Sequence, residues 1–303
     1  MVPRVIVVIV VVGLAALAFL IPKTQVVSQP QGAAPPRPAK ITATTPNIQY
    51  PKPASSFRDP QPTTARSVAV IDEKTGMTLF EKESNLKHLP ASTTKLMTAL
   101  VTLENCSPEE VVVVNNVEKS GTQMGLETGD RITVKNLLHG LLISSGNDAA
   151  YALSQNCAAS YDNFIENMNK KAQTLNLTNT HFINPAGFDD NMQYSTARDL
   201  AELARVATAN PLIAEIVKIK STVVTDVSGV RTYYLENVNK LLWTVEGVNG
   251  VKTGQTDGAL EIVITKTTRN GNGVIISVLG SQDRFGESRA LIEWAYSNFI
   301  WPK

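Results

Sequence analysis

Hydrophobic and polar positions change rhythm several times along the chain. An uncharged apolar run from Val5 to Ile21 follows Met-Val-Pro-Arg and is closed by Pro22 and Lys23. At about 1.5 Å of rise per residue, such a run is just long enough to cross a bilayer as a helix. It reads as an export signal, either cleaved or retained as an anchor. The Ala-x-Ala pattern Ala16-Leu17-Ala18 lies inside the apolar run and is followed by Phe19-Leu20-Ile21, a poor cleavage context, so retention is favoured. With Arg4 on the cytoplasmic side, the remainder is expected outside the cell membrane; if the signal is cleaved, the protein is secreted.

From residue 23 to residue 65 the periodicity disappears. Nine prolines fall between Pro30 and Pro62, and large apolar residues are almost absent. Such a stretch buries too little surface to offset its ordering entropy, and its prolines extend it at about 3 Å per residue. Residues 1–22 are therefore expected to be the anchor or signal, 23–65 a disordered linker, and 66–303 the globular domain.

Periodic patterning begins at Arg66. Ser67 to Ile71 and Met77 to Lys82 flank Glu73-Lys74-Thr75-Gly76, which predicts a β-hairpin. Apolar positions at helical spacing then predict helices over Ser92–Glu104, Lys135–Ile143, Asp148–Cys157, Tyr161–Leu175 and Thr196–Thr208. Strands return over Ile219–Asp226, Val230–Leu235, Leu260–Thr267 and Gly273–Gly280, and a last helix is expected over Glu287–Phe299. Strands at both ends with helices between them predict an α/β (α+β) fold. One antiparallel sheet is covered by helices, with a mostly helical second lobe.

Composition narrows the function by exclusion. The 28 Lys plus Arg balance 27 Asp plus Glu, and no long basic run occurs, so a nucleic-acid partner is not expected. Cys106 and Cys157 lack CxxC spacing, and His88, His139 and His181 stand apart as surface or loop residues. No metal or other cofactor is expected. The cysteines close two predicted helices, and a pair of buried thiols is favoured over a disulfide. Trp243, Trp294 and Trp301 are read as packing residues. Arg198 and Asp199 are read as a helix start capped by Ser195.

Three short patterns carry candidate chemistry: Ser92-Thr93-Thr94-Lys95, Ser145-Gly146-Asn147 and Lys252-Thr253-Gly254. Decoys of all three exist in Ser84-Asn85-Leu86-Lys87, Ser154-Gln155-Asn156 and Lys74-Thr75-Gly76, so context must separate them. Ser92 opens a predicted helix, which puts Ser92 and Lys95 on one face at i and i+3. Ser84 lies between a strand and a proline, Lys74 sits in a tight turn, and Lys252 leads into an apolar strand. A serine hydroxyl needs a base, and no His-Asp pair stands in a triad context. Lys95 can be that base if burial and a second cation, Lys252, lower its pKa. Ser145 would relay a proton to the leaving amine, and Asn147 would hold Lys95 and the substrate amide. Thr253 and Lys252 would receive a carboxylate. The amide at the start of the Ser92 helix is one candidate oxyanion donor, and the backbone of Gln255, just past Gly254, is the other.

The stretch from His88 to Leu100 resembles the active-site helix of the serine-type D-Ala-D-Ala carboxypeptidases, the low-molecular-weight penicillin-binding proteins. Gly140 to Ala149, Asn184 to Asp190, Tyr194 to Leu200 and Gly250 to Thr256 are similar to family segments in the same order, and the match covers essentially all of 66–303. The resemblance implies a β-lactamase/transpeptidase-like fold, acylation of Ser92 with release of D-alanine, and hydrolysis of the acyl-enzyme. The implied partners are peptidoglycan stem pentapeptides ending in D-Ala-D-Ala, with β-lactams as covalent inhibitors. It also implies the roles above for Ser92, Lys95, Ser145, Asn147, Lys252, Thr253 and the Gln255 amide. Departures are Ala259-Leu260-Glu261-Ile262 after the Lys-Thr-Gly segment, and Asn237-Val238-Asn239-Lys240, without an arginine, before Leu241-Leu242-Trp243. A D,D-endopeptidase with the same residues and a non-catalytic wall-binding homologue are the alternatives.

Overall fold

The computed structural model describes residues 49–302; the apolar run and most of the proline-rich stretch lie outside the described residues. At its centre is a five-stranded antiparallel sheet of β2 (Ser67–Asp72), β3 (Thr78–Lys82), β8 (Val248–Thr256), β9 (Leu260–Arg269) and β10 (Asn272–Ser281), in the order β3-β2-β10-β9-β8. Alternation along β10 sorts its side chains to two faces. Ile275 and Leu279 join the larger core, while Val274, Ile276 and Val278 join a smaller one against the C-terminal helix α8 (Arg284–Asn298). The larger core is built on α1 (Lys95–Asn105), α2 (Val134–Leu142), α3 (Asn147–Asn156), α4 (Tyr161–Thr174), α5 (Ala197–Ala207) and α6 (Pro211–Val217). A short α7 (Leu241–Thr244) leads into β8. Two small hairpins, β4 (Val111–Val113) with β5 (Arg131–Thr133) and β6 (Ser221–Thr225) with β7 (Thr232–Glu236), complete the helical lobe.

Caps set the helix starts. Thr133, Ser160, Asn210 and Asp283 each accept a backbone N–H from the first turn of their helices. For α5 the cap is Thr196, which accepts from Asp199, whereas Ser195 shares a 2.8 Å hydroxyl contact with Thr180. His139 lies on α2, not in a loop.

The proline-rich linker does not extend to residue 65. A two-residue strand, β1 (Lys52–Pro53), pairs with β11 (Phe299–Ile300), and the Ala54 amide donates to the Asn298 carbonyl at 2.8 Å. Phe57 then sets its edge on Trp294 and Phe299 at centroid distances of 6.0 and 5.8 Å, and the Trp294 indole donates to the Arg58 carbonyl at 2.6 Å. One aromatic ring and the free N–H groups between the prolines tie this segment down, and composition averaged over the whole stretch conceals them.

The cysteines are also not free thiols. Cys106 follows α1, Cys157 follows α3, and they form a disulfide with Cα atoms 5.4 Å apart. Sequence distance gives no hint of this, because the two helices become neighbours only by packing. Both helices begin at the catalytic patterns, so the bridge ties their far ends together. Closing a loop of sequence separation 51 removes unfolded-chain entropy worth about 4 kcal/mol at most. The Cys106→Ser, Cys157→Ser double variant is expected to lose about 2–4 kcal/mol of stability in a denaturant melt. An unchanged melt would remove the bridge from the account of stability.

Candidate active site

The chain enters the site through Ala91, a non-glycine residue at φ +47°, and then turns through a 3₁₀ segment (Ala91–Thr94) into α1. Ser92 thus sits in a 3₁₀ turn rather than in regular α-helix, and it is the partly exposed member of the set. Two glycines make room for this entry. A Cβ at Gly187 would stand 1.8 Å from the Ala91 carbonyl oxygen, and one at Gly254 would stand 3.0 Å from the Ser92 amide nitrogen. The nucleophile candidate is therefore gripped between the 184–190 loop and strand β8.

Lys95 has no exposed surface. Its Nζ lies 2.9 Å from Ser92 Oγ, 2.7 Å from Asn147 Oδ1 and 2.7 Å from the Ala186 carbonyl. Burial holds its pKa well below the ordinary lysine value. The Lys252 charge lowers it further, and Asp148 pulls in the opposite direction. A neutral amine in this place spends its two N–H bonds on Asn147 and Ala186, which leaves its lone pair facing the Ser92 hydroxyl.

The second pattern sits at the start of α3. Ser145 has φ +63°, and its Oγ accepts from Lys252 Nζ at 2.9 Å. Asn147 is held from outside the helix, its side-chain amide donating to the Ser120 carbonyl at 2.9 Å and its backbone amide to the Thr122 carbonyl at 2.7 Å. The third pattern lies within β8 itself, a strand that the hydrophobic rhythm of Val248–Thr256 does not announce. Lys252, Thr253 and Gly254 are buried, while Gln255 at the cleft mouth is exposed. Lys252 Nζ also donates to the Thr253 carbonyl at 3.0 Å. Its pKa is lowered to about 7 by burial first and by Arg284 second. Lys252 presses on Lys95, while Arg284 presses on Lys252. Both amines are thus held below the ordinary lysine range by burial and by a neighbouring cation.

All three patterns thus meet at one place, and the decoys do not. Ser84 donates to Glu81, Lys87 lies over the Tyr194 ring, Thr75 closes the hairpin turn on Asp72, and Ser154 bonds the Tyr151 carbonyl within α3.

Three contributors escaped the sequence reading. Asp148, the first-turn acid of α3, accepts the backbone amides of Met124, Gly125 and Leu126 at 2.9–3.0 Å and so fixes the loop that holds Asn147. Its place directly after the Ser-Gly-Asn pattern was a usable signal, since an acid at a helix start is favoured. The Ala186 carbonyl could not be found, because backbone groups carry no side-chain signature. Arg284, on α8, donates to the Gly254 carbonyl at 2.8 Å, and its Nε is buried without a partner. Nothing in the sequence around it marks it, since it reaches the site through the packing of α8 on the sheet.

Comparison with known proteins agrees with this geometry. The family described as D-alanyl-D-alanine carboxypeptidase matches residues 54–283. The D-alanyl-D-alanine carboxypeptidase DacF of Bacillus subtilis is 34% identical over 256 residues, which is 78% of this chain and 63% of DacF. A D-alanyl-D-alanine carboxypeptidase of Streptomyces sp. strain K15 is 36% identical over 229 residues, covering 70% of this chain and 79% of the relative. The crystal structure of the Streptomyces K15 DD-transpeptidase superposes with a TM-score of 0.74 at 31% identity, covering 79% of this chain and 100% of that one. The chain belongs to the serine-type D-alanyl-D-alanine carboxypeptidase family, that of the low-molecular-weight penicillin-binding proteins.

Proposed function

We propose that this protein removes the terminal D-alanine from peptidoglycan stem peptides through an acyl-enzyme on Ser92. The single observation that carries this reading is the buried Lys95 amine, which lies 2.9 Å from Ser92 Oγ and 2.7 Å from both Asn147 Oδ1 and the Ala186 carbonyl. Ser92 Oγ attacks the carbonyl of the penultimate D-alanine, and its proton passes to Lys95 Nζ. Ser92 N–H and Gln255 N–H face the developing oxyanion. As the C–N bond breaks, Ser145, hydrogen-bonded to Lys252, delivers its proton to the departing amine and takes in its place the proton that Lys95 holds, so that D-alanine leaves with Lys95 neutral again. A water molecule then attacks the ester, Lys95 takes its proton, and Ser92 Oγ recovers one.

Two further cations favour a substrate with a free carboxylate, as a carboxypeptidase requires. Lys252 lies next to Thr253, and Arg284 lies against the Gly254 carbonyl. We further propose that residues 1–22 hold the protein at the membrane, that the proline-rich stretch before residue 49 spaces the domain from it, and that catalysis takes place outside the cell. Among the described residues no helix is long and apolar enough to cross a membrane.

The test is digestion of defined muropeptides together with labelling by a fluorescent penicillin. Free D-alanine released from pentapeptide and a penicillin adduct lost in Ser92→Ala are expected. Cross-link scission without release of D-alanine assigns an endopeptidase, and absence of labelling in the wild type assigns a non-catalytic wall-binding protein. Rapid turnover of the penicillin assigns a β-lactamase.

A further inference from the structure

The loop from Asn184 to Asp190 is more rigid than its lack of regular structure suggests. The Asn184 side-chain oxygen accepts the backbone amides of Ala186, Gly187 and Phe188 at 3.2, 2.7 and 3.0 Å, and its amide group donates to the Phe188 carbonyl at 3.1 Å. Gln193 braces the same loop by donating to the Phe188 carbonyl at 2.9 Å and accepting from the Ile183 and Asn184 amides at 3.0 and 3.1 Å. A loop with this many internal bonds transmits position instead of absorbing it. One end of it receives Lys95 and packs against the carbonyl of Ala91. Its other end carries Asp189.

Asp189 reaches across to the strand that carries the other half of the site. The Thr256 hydroxyl donates to Asp189 Oδ1 at 2.7 Å, and the Gly258 amide donates to Asp189 Oδ2 at 3.2 Å. Thr256 in turn accepts the Ala259 amide at 3.0 Å, which closes the turn between β8 and β9. This turn begins at the residue after Gln255. A Cβ at Gly258 would stand 2.5 Å from Leu89 Cδ1 and 2.8 Å from Asp189 Oδ2, so the turn is held hard against the approach to the nucleophile.

We propose that Asp189 is a positioning residue for acyl transfer: its carboxylate bolts the turn at residues 256–258 to the 184–190 loop and so sets the Gln255 amide against Ser92. The proposal rests on the acyl-enzyme reading above and adds a residue to it. Asp189 touches neither substrate nor Ser92; it acts through Thr256 and the Gly258 amide. Oxyanion stabilisation depends on donors fixed before the reaction, and loss of one donor costs about 10²–10³ in kcat. Loosening a donor without removing it costs less, on the order of 10–100-fold. Asp189 is exposed, so its removal has little effect on the core.

The experiment measures D-alanine release and penicillin acylation for wild type, Asp189→Ala, Asp189→Asn, Thr256→Val, Thr256→Ser and the Asp189→Ala, Thr256→Val double variant. Asp189→Ala and Thr256→Val are each expected to lower kcat about 10–100-fold, with KM within about 2-fold and Tm within about 2 °C. Thr256→Ser and Asp189→Asn, which keep a hydroxyl and a side-chain acceptor, are expected to recover most of the rate. The double variant is expected to lose no more than the worse single one, because both cut the same bond. The rising limb of the pH profile, set by Lys95, is expected to stay in place. Rates within 2-fold of wild type in Asp189→Ala overturn the proposal, as does a rate loss that tracks an equal collapse in Tm. A wild type that is not acylated at all overturns the acyl-enzyme reading instead.

Discussion

Lys95→Ala is expected to abolish acylation of Ser92 by a fluorescent penicillin, with a loss of at least about 10³-fold in rate, while the protein remains folded. Without the amine, Ser92 Oγ loses its one hydrogen-bond partner among the described residues, and the second amine, Lys252, is engaged with Ser145 and the Thr253 carbonyl instead. The fold survives for a separate reason. Lys95 is fully buried, so its removal also removes the cost of keeping an amine out of water, and this offsets the loss of packing and of three hydrogen bonds. The pH dependence has a definite sign. Burial and the Lys252 charge lower the Lys95 pKa, so the acylation rate rises with pH as Lys95 gives up its proton, at a pH well below that of an ordinary lysine. Stopped-flow acylation across pH reads that limb directly. Normal labelling of a correctly folded Lys95→Ala protein would rule out Lys95 as the base.

The second large effect is expected at Lys252, where activity and stability move in opposite directions. Lys252→Met keeps the length of the side chain but removes the charge beside Thr253 and the donor to Ser145, so kcat/KM for a peptide ending in a carboxylate is expected to fall about 10²–10³-fold. Stability is expected to rise at pH 6. In the folded protein burial and Arg284 lower the Lys252 pKa to about 7, against the ordinary lysine value of 10.5. Between those two values the unfolded chain binds the extra proton and the folded protein does not, so wild-type stability climbs with pH across that window. Below pH 7 both states are protonated, and the whole cost of burying the ammonium is present. The variant lacks this cost, so its Tm at pH 6 is expected to exceed wild type by roughly 3–6 °C, with the gain shrinking toward pH 10. Thermal melts at pH 6 and pH 10 test it, and a Tm advantage that is absent at pH 6 or that grows with pH contradicts the assignment.

The limits of the sequence reading fall where contacts become long-range. Helices α1 to α5 and α8 and four of the five central strands were legible, because apolar spacing encodes which face of an element is buried, whereas the short α6 and α7 and the β4–β5 hairpin were not. Strand β8 was not, since its central Gly250-Val251-Lys252-Thr253-Gly254 carries catalytic residues where a core strand would carry apolar ones. The packing of residues 49–65 was missed because one phenylalanine among prolines does not change a composition. The disulfide was missed because 51 residues separate its ends and nothing local distinguishes a paired from an unpaired buried cysteine.

What the sequence determined by itself was the short-range chemistry. Ser92 and Lys95 lie three residues apart in one tight turn, so their meeting follows from backbone geometry alone. The tertiary structure decided the rest: Asn147, Ala186 and Arg284 come from three other parts of the chain, and Lys252 meets Ser145 across 107 residues. It also decided the charge state of the site. A lysine is an effective base only when solvent is excluded and a second cation stands near it, and both conditions arise from packing distant elements together.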